Sequence, residues 1–332
     1  MTTPFSSNMI DHYQSANSQL WQGRSDGKGP ERFHERIVSL DITQPSKSID
    51  QTFDGKAVAL IGFVCDEGVR RNQGRPGAAM GPDALRQALA PLPTASQHVV
   101  FDAGNVFCTD GNLEAAQTAL GEVVAFLMQH RIFPVILGGG HELAWGTYLG
   151  EAAFDLNADR AFINCDAHLD IRPLLDNTKG TSGTSFAQIE KHRTLNNLPF
   201  SYTCLGVQSC ANTPSLLEKA KELNATLVFA DAFYMGGFEA SLEVVDDLVI
   251  RHDTLSISLC LDVFSSAFAP GVSAPQPLGL FPWHLIPALR RAASSGKATS
   301  LGVAELCPAH DPEGITAKLA ASLIADFLAH LI

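Results

Sequence analysis

Residues 163–170 carry the side chains of this chain that are best suited to chemistry. The stretch reads Ile-Asn-Cys-Asp-Ala-His-Leu-Asp, which places Asp166, His168 and Asp170 at alternating positions. In extended backbone alternate side chains point the same way, so two carboxylates and one imidazole should converge. Oxygen-rich sites with one or two imidazoles suit hard or borderline divalent ions such as Mn²⁺. The sequence therefore predicts a metal site around these residues.

A glycine-rich turn provides a second candidate ligand. Residues 138–140 are three glycines, and His141 follows them at the start of a predicted helix. Glycine lets the backbone turn sharply and approach a ligand closely. A phosphate-binding loop or a plain strand–helix turn would use the same residues, although the Lys-Ser/Thr of a P-loop is missing.

Two more candidates end apolar runs near the C-terminus. Cys260 and Asp262 alternate and are predicted to share a face. Cys260 could equally be a small buried hydrophobic residue, and a thiolate is a soft ligand beside carboxylates. Glu305 could bind a cationic group of a substrate, or it could be a helix cap or an exposed loop acid.

Strands that alternate with helices position these residues. Apolar, β-branched runs predict strands at 57–64, 97–101, 133–137, 160–165, 201–206, 226–230, 255–261 and 299–304. Helical spacing predicts helices at 82–91, 112–130, 141–150, 214–223, 238–251, 282–295 and 313–331. The alternation predicts a three-layer αβα fold with a central, mostly parallel sheet.

The candidate ligands fall where such a sheet places its chemistry. They follow four predicted strands: His141 after 133–137, Asp166 after 160–165, Asp262 after 255–261 and Glu305 after 299–304. In open parallel sheets ligands bind beyond the carboxyl ends of the strands. Four distant parts of the sequence thus predict one site.

Composition limits the class of protein. The 332 residues are 45% hydrophobic and 17% charged, and the formal net charge is −12. Without a basic block, nucleic-acid binding is not expected. Seven cysteines with no Cys-x-x-Cys pair, no signal peptide and no long apolar run predict a cytoplasmic protein without a membrane segment. Residues 1–55 are polar and predict an N-terminal extension that packs on a main domain spanning 56–332.

Together these segments resemble the ureohydrolase family, which includes arginase, agmatinase and formimidoylglutamase. The resemblance covers about residues 57–330 and rests on GGGH (138–141), DAHLD (166–170), SLCLDVFSSAFAPG (258–271) and AELCP (304–308). Further segments are most similar to the formimidoylglutamase branch, namely GF (62–63), DEGV (66–69), RN (71–72), GRPGA (74–78), LGVQ (205–208), NT (212–213) and APGVSA (269–274). The resemblance implies an arginase-like fold.

The resemblance also implies two Mn²⁺ ions. One would be held by His141, Asp166, Asp170 and Cys260, and the other by Asp166, His168, Cys260 and Asp262, with Asp166 as the bridge. The sequence departs from the family pattern where Cys260 replaces an Asp, where Ser265-Ser266 replaces Asp-Pro, and where Ser182-Gly183 replaces the His-Gly of arginases. Ureohydrolases generally form trimers or hexamers, so a homo-oligomer is left open.

The implied activity is metal-dependent hydrolysis of N-formimidoyl-L-glutamate to L-glutamate and formamide, a step of histidine degradation. Asp170 would move a proton to the leaving nitrogen, and Glu305 would pair with the amidinium-like N–H groups. The substrate carboxylates would bind Arg172, with hydrogen bonds from Asn177 and Ser182 and with Arg71 and Arg75 as further candidates. An agmatinase or guanidino-acid hydrolase, and a metal-poor relative without catalysis, are the alternatives.

Overall fold

A ten-stranded sheet forms the middle layer of the structure, a computed structural model that describes residues 5–27, 29–44 and 57–332. The strands are β1 (Tyr13–Gln14), β2 (Ile37–Ser39), β3 (Ala57–Val64), β4 (Val99–Phe107), β5 (Ile132–Gly138), β6 (Arg160–Cys165), β7 (Ser201–Val207), β8 (Thr226–Phe229), β9 (Thr254–Cys260) and β10 (Ala298–Ala304). Their order is β1-β4-β3-β5-β10-β9-β6-β7-β8, and β2 also pairs with β4. Every pair is parallel except β1 with β4.

The helices cover the two faces of this sheet. They are α1 (Ser7–His12), α2 (Phe33–Arg36), α3 (Glu67–Arg71), α4 (Gly81–Leu89), α5 (Leu113–Gln129), α6 (Leu143–Phe154), α7 (Ser185–Leu195), α8 (Pro214–Glu222), α9 (Ala230–Gly236), α10 (Glu239–Arg251), α11 (Pro282–Ala293) and α12 (Ile315–His330). No helix in the described part of the chain is both long enough and apolar enough to cross a membrane.

Strand β3 shows why the fold has three layers. Val58 and Leu60 pack in one buried cluster with side chains of α4 and α12. Ile61 and Phe63 pack in a second cluster with side chains of α5. Because alternate residues of a strand face opposite sides, both faces of β3 must be apolar to be covered by helices. The predicted αβα fold with a mostly parallel sheet is confirmed.

One predicted strand is too short. The sequence predicts 97–101, whereas β4 continues to Phe107. The prediction stops early because Asp102 and Asn105 interrupt the apolar run. Both side chains are buried, and the guanidinium of Arg86 donates hydrogen bonds to both of them. A paired charge can lie within a strand that would otherwise exclude it.

Five of the described helices are absent from the sequence prediction, namely α1, α2, α3, α7 and α9. The first three are only four to six residues long. Helix α7 turns few apolar side chains inward, mainly Phe186 and Ile189, so its helical periodicity is weak. Helix α9 directly follows β8, and the predicted strand 226–230 runs into its first residue.

The residues that precede the main domain join the sheet at its β4 edge. Strands β1 and β2 both pair with β4, and the side chain of Trp21 donates a 2.7 Å hydrogen bond to Asp102. Met9 and Phe33 are fully buried. The domain boundary predicted at residue 55 lies outside the described residues and stays a prediction.

Candidate metal centre

The carboxyl ends of four neighbouring strands surround one cavity. Strands β5, β10, β9 and β6 lie side by side in the sheet and run parallel, so their ends meet at one edge. The cavity has a volume of about 180 Å³. Its lining includes every predicted metal ligand, namely His141, Asp166, His168, Asp170, Cys260 and Asp262. The structure therefore brings together residues that are far apart in sequence.

The glycine turn after β5 places His141. The amides of Gly139 and Gly140 donate to the carbonyls of Phe63 and Cys65 at 3.0 and 2.9 Å. A Cβ on Gly139 would overlap the carbonyl oxygen of Cys65, so only glycine fits at this position. The turn leaves the imidazole of His141 1% exposed and directed into the cavity.

Asp166 lies between the two imidazoles. One carboxylate oxygen is 2.9 Å from Nδ1 of His141, and the other is 3.4 Å from Nδ1 of His168. Asp170 approaches Nδ1 of His141 at 2.8 Å, and Asp262 approaches Nδ1 of His168 at 3.1 Å. This is the arrangement that a carboxylate bridging two ions requires.

The residues fit a pair of metal ions because their ligand atoms are grouped and one of them has no partner. Oδ1 of Asp262 is buried without a hydrogen-bond partner in the described structure, and Nδ1 of His141 faces only the carboxylates of Asp166 and Asp170. Orphaned buried polar atoms are rare, and a bound ion is one of the few explanations. The ligand atoms of His141, Asp166 and Cys260 lie within 4.8 Å of one another, as do those of Asp166, His168 and Asp262.

The electrostatics of the cavity favour cations. Burial raises the pKa of Asp262, and the neighbouring charge of Asp166 raises it further. Burial also raises the pKa of Asp166, but His141 and His168 outweigh it and hold that pKa far below its usual range. Burial raises the pKa of Glu305 well above its usual range. Acidic groups crowded in a buried site attract divalent ions, which relieve their mutual repulsion.

Two of the carboxylates sit on unusual backbone. Asp170 has φ 49° and Glu305 has φ 73°, both in the left-handed region that disfavours side chains. Backbone hydrogen bonds fix both positions. The backbone amide of Phe186 donates to the backbone carbonyl of Asp170 at 3.1 Å, and the backbone amide of Glu305 donates to the backbone carbonyl of Gly139 at 2.8 Å. Such outliers cluster at functional sites, where the surrounding structure imposes them.

Glu305 is held by the glycine-rich loop that carries His141. Its Oε1 accepts a 2.9 Å hydrogen bond from the backbone amide of His141, while Oε2 has no partner in the described structure. Glu305 also lines the cavity. One oxygen is thus fixed, and the other can accept from a bound ligand.

The mouth of the cavity contains some of the predicted substrate-binding residues. Arg172 and Ser182 line it together with Asn72, whose amide lies 3.2 Å from the Ser182 hydroxyl. Asn177 does not line it. The chain turns back through the bridge between Leu175 and Lys179, which leaves Asn177 exposed at φ 59°. The structure thus places Asn177 outside the lining of the cavity, unlike Arg172 and Ser182.

The two further arginine candidates are occupied elsewhere. Arg71 forms ion pairs with Glu67 and Glu114, at 2.9 and 2.6 Å. The side chain of Arg75 donates to the backbone carbonyl of Ser273 at 2.9 Å. Both side chains are engaged within the protein and neither lines the cavity, so Arg172 is the better candidate to bind a carboxylate.

Sequence reasoning missed the residues that support the ligands. Ser258 Oγ lies 2.7 Å from Nε2 of His141, and the Asn164 amide lies 3.3 Å from Asp166. A signal existed for Ser258, because it precedes Cys260 by two residues on one strand and therefore shares its face. The same signal pointed to Asn164, which lies in β6 two residues before Asp166.

Comparison with known proteins agrees with this geometry. Residues 56–330 match the model of the arginase family. The chain belongs to the arginase family. It is 41% identical over 319 residues to a formimidoylglutamase of Legionella pneumophila (strain Paris), covering 96% of this chain and 98% of the relative. It is 42% identical over 324 residues to a formimidoylglutamase of Geobacillus thermodenitrificans, covering 96% and 97%.

The arginase-family fold is also seen in solved structures. A Trypanosoma cruzi formiminoglutamase crystallised with Mn²⁺ aligns with a TM-score of 0.75 at 24% identity, covering 85% of this chain and 96% of the other. At 24% identity the similarity to this structure establishes the fold alone. The ureohydrolase resemblance predicted from the sequence motifs is confirmed by the family match.

Proposed function

We propose that this arginase-family chain is a metal-dependent hydrolase that converts N-formimidoyl-L-glutamate and water to L-glutamate and formamide, as in histidine degradation. The observation that carries the proposal is Asp166, buried between two imidazoles in a cavity that Arg172 and Glu305 also line. The relatives named formimidoylglutamase, which match nearly the whole chain, support the choice of substrate.

Two Mn²⁺ ions are the proposed cofactors, supported by the Mn²⁺ in the Trypanosoma cruzi structure. His141, Asp166, Asp170 and Cys260 would hold one, and Asp166, His168 and Asp262 the other, since the sulfur of Cys260 groups with the ligand atoms of His141 and Asp166. When bound, such a pair supplies positive charge that lowers the pKa of water and polarises the substrate. The remaining steps belong to the chain's own residues.

Glu305 orients the amidine. Its Oε1 is fixed by the amide of His141, so its free Oε2 can accept a hydrogen bond from a substrate N–H. An amidine carbon bonded to two nitrogens is planar and electron-poor, and a carboxylate on its edge holds it in place while charge develops.

Asp170 is placed to move a proton. It is nearly buried, lines the cavity and is fixed by its left-handed backbone beside His141. A carboxylate within reach of both the attacking water and the leaving nitrogen can carry a proton from one to the other. The glutamate nitrogen needs that proton in order to leave as an amine.

Arg172 binds the substrate carboxylates. Its guanidinium has no ion-pair partner among the described residues, and it lies at the mouth of the cavity. A planar guanidinium pairs with a carboxylate through two parallel hydrogen bonds. Since the chain has a net charge of −12, an anionic substrate needs such a local cation. Ser182 adds a hydroxyl beside it.

A product assay tests the proposal. Purified protein supplied with Mn²⁺ should release formamide and glutamate from N-formimidoyl-L-glutamate, and chelation should stop the release. Arginine, agmatine and guanidino acids are the controls, because hydrolysis of these compounds gives urea. Urea production in the absence of formamide release would replace this proposal with a guanidine hydrolase.

A further inference from the structure

The two donor groups of the metal centre differ in chemistry. One consists of His141, Asp166 and Cys260, and the other of Asp166, His168 and Asp262. They share Asp166 and each contains one imidazole, so they differ in the third donor. That donor is a sulfur in the first group and a carboxylate oxygen in the second.

The sulfur of Cys260 belongs to the cavity rather than to the apolar core. Cys260 is the last residue of β9, pairs with Ala304 of β10 and lines the cavity. It shares a strand face with Ser258, which contacts His141. Cys165, at the equivalent end of the neighbouring strand β6, is also buried but does not line the cavity.

Cys260 would bind a metal ion as a thiolate. A coordinating thiol loses its proton to the metal, and the positive charge of the ion compensates the thiolate in a buried site. The third donor of the first group would then be an anionic sulfur, where the second group has a carboxylate oxygen.

We propose that Cys260 makes the two metal positions unequal. The position formed with His141 and Asp166 favours a borderline ion such as Co²⁺, Zn²⁺ or Fe²⁺ over Mn²⁺, while the all-oxygen-and-nitrogen position accepts Mn²⁺. The reason is that thiolates bind softer ions more strongly, whereas carboxylates suit Mn²⁺. The inference rests on the metal centre of the proposed function and specifies what that centre binds.

Cobalt absorption provides the test, because a thiolate–Co²⁺ bond gives a near-ultraviolet charge-transfer band that oxygen and nitrogen ligands do not. Metal-free protein is titrated with Co²⁺ while bound metal is counted by elemental analysis. In the wild type the band should grow until one Co²⁺ is bound per chain. Mn²⁺ added afterwards should bind without removing it.

Three variants complete the titration. Cys260→Asp and Cys260→Ser should bind Co²⁺ without the band, and the matched control Cys165→Ala should keep it. The ratio of Co²⁺ affinity to Mn²⁺ affinity should fall by about tenfold or more in Cys260→Asp relative to the wild type. This ratio isolates the effect of sulfur, because most sites bind Co²⁺ more tightly than Mn²⁺.

Two results would overturn the proposal. One is wild-type protein that holds two Co²⁺ ions without a charge-transfer band, a result that does not depend on any variant folding. The other is a band that persists in Cys260→Asp. Formamide release is measured on the same samples. Turnover without the band would refute the role of Cys260 and leave the proposed function standing. The band without turnover would support the role of Cys260 and contradict the proposed function.

Discussion

The hydroxyl of Ser258 lies 2.7 Å from Nε2 of His141, on the opposite side of the imidazole from Asp166 and Asp170. When the Nε2–H group of His141 donates its hydrogen bond to Ser258, Nδ1 carries no proton. The lone pair of Nδ1 then faces the cavity, where it can bind a metal ion. One hydroxyl thus sets both the tautomer and the orientation of a proposed metal ligand.

Replacing Ser258 with Ala should weaken Mn²⁺ binding by about 10- to 100-fold, because outer partners that orient a histidine ligand contribute effects of this size. Calorimetric titration of metal-free protein measures the affinity. Ser256→Ala, two residues earlier on the same strand, is the control and should bind as the wild type does. Unchanged affinity in Ser258→Ala would show that packing alone orients the ring.

Asp166→Ala should abolish both turnover and metal retention, since this side chain contacts the imidazoles of both donor groups. Metal content after gel filtration and formamide release are measured on one sample. Asp176→Ala is the control, because that carboxylate is 81% exposed on a surface turn. A variant that keeps its metal and its activity would exclude Asp166 as the bridge.

Glu305→Gln should keep the metal ions while kcat/KM falls by about 100-fold or more, the loss typical of removing one electrostatic contact to a transition state. The amide oxygen of Gln can still accept from His141, but its NH₂ group cannot accept from the substrate. Glu218→Gln, on the exposed face of α8, serves as the control. Loss of metal together with activity would instead indicate that Glu305 shapes the metal loop.

Arg172→Met should raise KM for N-formimidoyl-L-glutamate by about 10- to 100-fold and leave metal content unchanged, because a hydrogen bond to a charged group contributes about 1.5–3 kcal/mol. Arg172→Lys should recover part of the loss. Lys179→Met removes a positive charge from the same loop and should have little effect. If both Met variants raise KM equally, the general charge of the loop matters rather than a specific clamp.

Trp21→Phe should lower the free energy of unfolding by about 1–3 kcal/mol, because it leaves the buried carboxylate of Asp102 with one donor fewer. Denaturant titration and the melting temperature report the change. Trp283→Phe is the matched control, since the Trp283 side chain is largely exposed. Equal losses in the free energy of unfolding at the two positions would show that the hydrogen bond from Trp21 to Asp102 adds no stability of its own.

The sequence was most informative where chemistry and periodicity coincide. The apolar run of β6 ends at Cys165, and its ligands follow at once, so both the strand and Asp166 were predictable. His141 and Glu305 were predictable for the same reason. Their place just beyond a strand end explains this success, whereas alternation along extended backbone does not, since residues 166–170 follow the end of β6 and Asp170 and Glu305 have left-handed backbone.

What the sequence missed depends on tertiary contacts. Asn177 was predicted to bind substrate, but the direction of a surface turn cannot be read from composition. The second half of β4 looks too polar for a strand until Arg86 is placed beside Asp102. Asn72, which also lines the cavity, directly follows α3 and lies more than ninety positions before Asp166, and no periodicity connects the two.

The left-handed backbone at Asp170 and Glu305 sets stability against activity. Each such residue costs on the order of 1 kcal/mol relative to glycine, so Asp170→Gly or Glu305→Gly could raise the melting temperature of the metal-free protein while removing a reactive group. Selection for a higher melting temperature alone would therefore favour variants that have lost catalytic activity. Any effort to make this protein more robust should keep these two positions fixed and seek its gains elsewhere.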